Sequence, residues 1–107
     1  MRKYSWPDGH WNWPVDLTHK HGVRAGEMIF TGGQVDLDRR GNVRHPEDLR
    51  IQCIESMKYM DAILRDLEVD FGDLVRLVVY FNGDQNDEEE LLDLLTEIMK
   101  NGFHVFH

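Results

Sequence analysis

His19 and His21 stand two apart in VDLTHKHGVR (residues 15–24), so on one extended strand both imidazoles share a face. That spacing suits joint metal binding. A zinc site needs further ligands, however, and no cysteine or acidic residue stands at a telling distance. An H-x-H pair alone is weak ground, and no metal is expected. Further on, Gly32, Gly33 and Gln34 interrupt the stretch GEMIFTGGQVDLD (residues 26–38). Glycine inside a strand marks either a plain bulge or a place where another backbone or a ligand comes close. Residue types alone favour the plain bulge. Cys53 falls within an apolar helical stripe, where a buried thiol is expected rather than a nucleophile. Glu88 and Glu89 read as a solvated first helical turn, and His104 and His107 cannot be given acid–base roles from sequence. No catalytic residue is assigned.

These residues need a frame. The first fourteen, MRKYSWPDGHWNWP, hold Trp6, Trp11 and Trp13 with Pro7 and Pro14, and Pro-Asp-Gly is turn chemistry. They read as an irregular arm whose tryptophans must be covered. It packs on its own domain in the plainest reading, and on a neighbouring subunit or over a pocket in a sharper one. A strand over residues 15–24 turns at Ala25-Gly26 into a second strand. That strand is apolar at Met28, Ile29 and Phe30, breaks or bulges at the glycines, and continues half-exposed through Val35 and Leu37. His45-Pro46-Glu47-Asp48 opens a helix, with proline in the first turn and acids at the positive end of its dipole. Cys53, Met57, Met60, Leu64 and Leu67 recur at steps of four and three, widened by Ile54 and Ile63. Residues 74–81, LVRLVVYF, predict a central strand covered on both faces. Asp87 with Glu90 predicts the capping box of a second helix, buried along Leu91, Leu94, Leu95, Ile98 and Met99 and stopped at Asn101-Gly102.

With 107 residues the chain has room for one modest core, read as a single domain over 15–107 behind the arm at 1–14. Twelve basic against twenty acidic side chains give a net charge of −8, so nucleic acid and anionic membranes would meet like charge. Small molecules and other proteins remain as partners. A single cysteine excludes an internal disulfide, which fits a reducing compartment. No apolar run approaches the length that spans a bilayer, and the N-terminus lacks the apolar stretch of a secretion signal. A cytoplasmic location and no cofactor are expected.

The run VRAGEMIFTGGQVDLD, a helix, and then DLVRLVVYF resembles the Rid (YjgF-like) family of enamine/imine deaminases over roughly residues 17–100. Its most specific parts are the A-G-x-x-I-F-x-x-G-Q core from Ala25 to Gln34 and the valine-rich run 75–81. The resemblance implies an α+β, chorismate-mutase-like fold: a mixed sheet with two helices packed on one face. It further implies homotrimers with a pocket at each subunit interface. The implied chemistry is hydrolysis of reactive species such as 2-aminoacrylate to a keto acid and ammonia.

Carried over residue by residue, Gly33 and Gln34 match the family's Gly-Gln. Gly32 replaces a serine on the pocket wall, and His19 stands where a first-strand tyrosine is common. The implied substrate pocket is therefore His19, Gly32, Gly33 and Gln34. The family's asparagine near the second helix corresponds to Leu91 or Leu92. Two family strands that follow this helix supply an arginine for the substrate carboxylate and a glutamate for the attacking water. Here no arginine follows Arg76, only FHVFH follows Gly102, and those C-terminal strands are expected to be truncated. A planar arginine fork is the best carboxylate holder, and water addition needs a placed acid/base group. Two readings follow: a Rid-like hydrolase acting at subunit interfaces, or a non-catalytic homologue binding a small metabolite or a partner protein.

Overall fold

In the computed structural model, which describes residues 2–12 and 20–103, three short strands form one antiparallel sheet in the order β1-β2-β3. The strands are β1 (Arg2–Ser5), β2 (Gly22–Ala25) and β3 (Met28–Thr31). β2 and β3 pair from Gly22↔Thr31 to Ala25↔Met28, which leaves Gly26 and Glu27 as the turn. Gly26 takes φ 64 and Glu27 is not among the residues of positive φ, the placement in which a type II′ turn uses glycine. β1 pairs with the other edge of β2, Tyr4 opposite Val23 and Ser5 opposite Gly22.

Two helices complete the α+β architecture expected from the sequence: α1 (Leu49–Asp66) and α2 (Gln85–Asn101). The chain divides into two compact units, Met1–Asp70 and Phe71–His107. In the first, α1 lies on the sheet face that carries Ser5, Gly22 and Arg24. A Cβ placed on Gly22 would meet Ile63 Cγ2 at 2.6 Å and Leu67 Cδ1 at 3.1 Å. Ile63 and Leu67 are both fully buried, and Met57, Met60 and Leu64 extend the same stripe. The Arg24 guanidinium crosses to the end of the helix and donates to the Leu67 carbonyl at 3.1 Å. The opposite sheet face is apolar and open, with Tyr4, Met28 and Phe30 each more than half exposed. In the second unit Leu91, Leu94 and Ile98 are the buried side chains of α2, which ends at Gly102 with φ 78, as expected.

Several local expectations are corrected. Arg2–Ser5 is a strand and not part of an irregular arm, because its backbone finds the free edge of β2. β3 stops at Thr31. Beyond the glycines the single bridge Leu37↔Val43 is all that forms among the described residues, since Asp38 accepts from the Arg40 and Asn42 amides and curls the chain. α1 begins after Pro46: Asp48 is its cap and accepts from the Ile51 amide at 3.0 Å. α2 begins three residues early, its capping box made by Asp84 and Asp87 in place of Asp87 and Glu90. Residues 74–81 form no strand, and Val75 and Tyr80 are 100% and 93% exposed. Their β-branched and aromatic content suits a pleated, covered surface, but a strand exists only where a ladder is available. The expected strand over 15–19, with His19, and the tail at 104–107 lie outside the described residues.

Candidate functional site

The segment just past β3 is built by hydrogen bonds from Gln34. The Gly32 amide donates to the His21 carbonyl at 2.7 Å, holding the start of the turn to the residue before β2. The Gln34 side-chain amide then folds back and donates to the carbonyls of Gly32 and Gly33 at 3.3 and 3.2 Å, and to His21 Nδ1 at 3.2 Å. Its Oε1 accepts from His10 Nε2 at 2.7 Å. His21 Nε2 in turn donates to the Trp11 carbonyl at 2.9 Å. The result is a directional chain: His10 to Gln34, Gln34 to His21, His21 to Trp11.

Each member has a local reason to be where it is. His10 closes the Pro7-Asp8-Gly9 turn, its amide donating to the Pro7 carbonyl at 3.1 Å. Gly9 supplies φ 77 at the third position, where a type II turn demands it. That turn tucks Trp11 inside, 2% exposed, with its ring edge-on to His21 at 4.4 Å. Trp6 meets the other side of His21 at 4.8 Å, and the Lys20 ammonium stands 5.5 Å over the Trp6 ring. The N-terminal tryptophans described here therefore pack on their own unit. Tyr59 comes from α1 to lie edge-on to His10 at 4.6 Å, with its hydroxyl donating to the Leu37 carbonyl at 2.6 Å.

The two histidines differ in kind. His21 is fully buried, and both its ring nitrogens are engaged, so it has no lone pair to offer a metal. Among the described residues no group of three or more His, Cys, Asp or Glu side chains could hold a metal ion. His10 is 7% exposed, and burial pulls its pKa below the usual imidazole value against the opposing hydrogen bond to Gln34. At neutral pH it is an uncharged imidazole. Sequence reasoning passed over it because a lone histidine beside a turn carries no motif.

Of the expected pocket residues, Gly32, Gly33 and Gln34 are brought together in this turn, while His19 lies outside the described residues. Gly33 is exposed, and a Cβ built on it would meet nothing within 4 Å, so the backbone there faces open space. The glycine that permits close backbone approach is Gly22, against α1. Beside the turn, the buried Asp36 carboxylate accepts from His45 Nδ1 at 2.8 Å and lies 3.9 Å from Arg44, which also pairs with Glu55 at 3.1 Å. These contacts tie residues 36–45 to α1. Cys53 is half-buried, and desolvation, opposed by the charge of Arg50, pushes its thiol up to about 11, so it is not a nucleophile at neutral pH.

The fold is shared with a solved structure. The crystal structure of an Entamoeba histolytica protein assigned as an endoribonuclease L-PSP superposes with a TM-score of 0.70, at 15% identity, covering 96% of this chain and 80% of that one. No curated protein matches the sequence. The family model for endoribonuclease L-PSP matches residues 16–105, and the chain belongs to that family, the YjgF/Rid proteins.

Proposed function

We propose that this protein hydrolyses small reactive enamines and imines of the 2-aminoacrylate type, releasing a keto acid and ammonia. The observation that carries the reading is the rigid Gly32-Gly33-Gln34 turn, which holds a buried neutral histidine next to a backbone open at Gly33. A small planar substrate approaches the exposed glycine backbone, with His19, Gly32, Gly33 and Gln34 as its neighbours. The net charge of −8 weighs against RNA as a substrate, since its phosphates would meet like charge.

The active form is a trimer in the cytoplasm, with a second copy completing the wall of each cleft. The open sheet face supports association: Tyr4, Phe30 and Met28 are 53%, 57% and 59% exposed on one side of three paired strands. The test is a keto-acid assay with 2-aminoacrylate generated in situ, run alongside sedimentation. Acceleration over buffer by a trimeric species is expected. Folded protein that gives no acceleration refutes the hydrolase. Saturable metabolite or partner binding without turnover would establish the non-catalytic reading in its place.

A further inference from the structure

We propose that His10 is the acid–base residue of this site, using its Nδ1 to take the proton from the water that adds to the substrate C=N carbon. The proposal rests on the hydrolytic reading above and names the group that moves its protons.

The argument starts from the Gln34 amide, whose orientation is fixed by its neighbours. Its nitrogen faces the carbonyls of Gly32 and Gly33 at 3.3 and 3.2 Å, and both of those can only accept. Turned over, the amide would set Oε1 against two carbonyl oxygens and lose every one of these bonds. Oε1 therefore points at His10, 2.7 Å from Nε2, and requires a proton on that nitrogen. In the neutral ring the lone pair then sits on Nδ1. The same amide donates to Nδ1 of His21, which fixes the proton of that ring on Nε2, facing the Trp11 carbonyl. One amide thus sets both tautomers. It saturates His21 and leaves His10 with one ring nitrogen unengaged among the described residues.

What faces His10 keeps that nitrogen unprotonated. The titratable rings against it are His21 at 4.1 Å and Tyr59 at 4.6 Å, and Trp11 lies at 5.8 Å. Among the described residues no carboxylate is hydrogen-bonded or ion-paired to it. The surroundings disfavour the imidazolium, consistent with the lowered pKa.

The step balances as follows. The enamine tautomerises to the imine, and the water oxygen bonds to the imine carbon as the C=N electron pair moves onto nitrogen. Nδ1 of His10 receives the water proton and passes it to that nitrogen. The hydroxyl proton of the resulting carbinolamine is then moved to its nitrogen, the C–N bond breaks as the C=O bond forms, and ammonia leaves with the keto acid behind. Water is the co-reactant, and no oxidant or reductant is needed.

His10→Gln is the sharpest variant, because its side-chain amide can keep the donor to Gln34 Oε1 while supplying no base. With 2-aminoacrylate generated in situ, a loss of about 100-fold or more in kcat is expected. The wild-type rate should also fall as pH drops through His10's depressed pKa, and that acidic limb should vanish in the variant. Hydrolysis by wild type with an unchanged rate and pH profile in His10→Gln would overturn the assignment and leave the hydrolase standing. Wild type without hydrolysis would overturn both. Nitrogen-15 spectra of the wild-type imidazoles give a readout independent of turnover and of how the variant folds. A proton on Nε2 of His10 at pH 7 supports the proposal, and a proton on Nδ1 refutes it.

Discussion

Replacing Gly22 by alanine tests how closely α1 sits on the sheet. The new methyl would lie 2.6 Å from Ile63 Cγ2, 3.1 Å from Leu67 Cδ1 and 3.5 Å from Ser5 Cβ. Carbon atoms rest comfortably at about 3.5–4.0 Å, so the Ile63 methyl must retreat by roughly 1 Å. It has nowhere free to go, since Ile63 and Leu67 are both 0% exposed. Overpacking of this kind costs about 1–3 kcal/mol. Stiffening the unfolded chain returns about 0.4–1 kcal/mol, because Gly22 has no positive φ and alanine can adopt its backbone. A net loss of about 1–2 kcal/mol follows, or about 5–15 °C in Tm for a domain of this size. Urea titration followed by tryptophan fluorescence reads it, since Trp11 is buried in the same unit. A cycle with Ile63→Ala isolates the contact: that variant removes the obstructing methyl, so the double variant should be less destabilised than the two singles added, by about 0.5 kcal/mol or more. Wild-type stability in Gly22→Ala, or strict additivity in the cycle, would refute the packing argument.

Three further outcomes follow from single groups. Asp84→Ala removes the acceptor for the Asp87 amide and should cost about 1 kcal/mol, with faster amide hydrogen exchange confined to the first turn of α2. A Cys53 thiol pushed up to about 11 leaves about 100-fold less thiolate at pH 7 than the ordinary value of 9.0 would. Iodoacetamide should therefore label native protein far more slowly than protein unfolded in urea, and equal rates would contradict the burial. His10 is depressed in the folded state, so below its unfolded pKa of about 6.5 the unfolded chain binds the extra proton and stability falls with falling pH. Measured by denaturant midpoint, the wild type should lose ground to His10→Gln between about pH 7 and 5. A constant gap would exclude the depression.

How much of this was legible depended on whether the signal was local. The α1 stripe could be read because helical periodicity puts Met57, Met60, Leu64 and Leu67 on one side whatever they pack against. Gly26 could be read because a two-residue turn sets its own backbone demand. The α2 cap slipped by one capping box: Asp84, Asp87 and Glu90 are each three residues apart, and composition cannot choose between two frames of the same device. Residues 74–81 were misread because β-propensity describes a side-chain environment and not a partner strand. The site shows the same division. Gly32, Gly33 and Gln34 drew attention as an interruption in an apolar run, whereas the close approach falls at Gly22, which shows only once α1 is in place. His10 needed the turn at Gly9 and the fold of Gln34 together, and no spacing in the sequence announces that meeting.

The network at Gln34 also bears on why polar groups sit inside this cluster at all. Buried polar side chains lose their hydration, and a cluster serving stability alone does as well or better when filled with apolar groups. Where such a network is structural, every donor and acceptor is expected to be matched. His21 meets that standard, with Gln34 on one nitrogen and the Trp11 carbonyl on the other. Gln34 meets it too, using its oxygen once and its amide hydrogens on three acceptors. His10, 7% exposed, has only its Nε2 engaged among the described residues. Local rules tend to be broken where function requires it. A chain of matched groups that ends on one histidine with a nitrogen unengaged among the described residues has the form of a support, and His10 is what it supports.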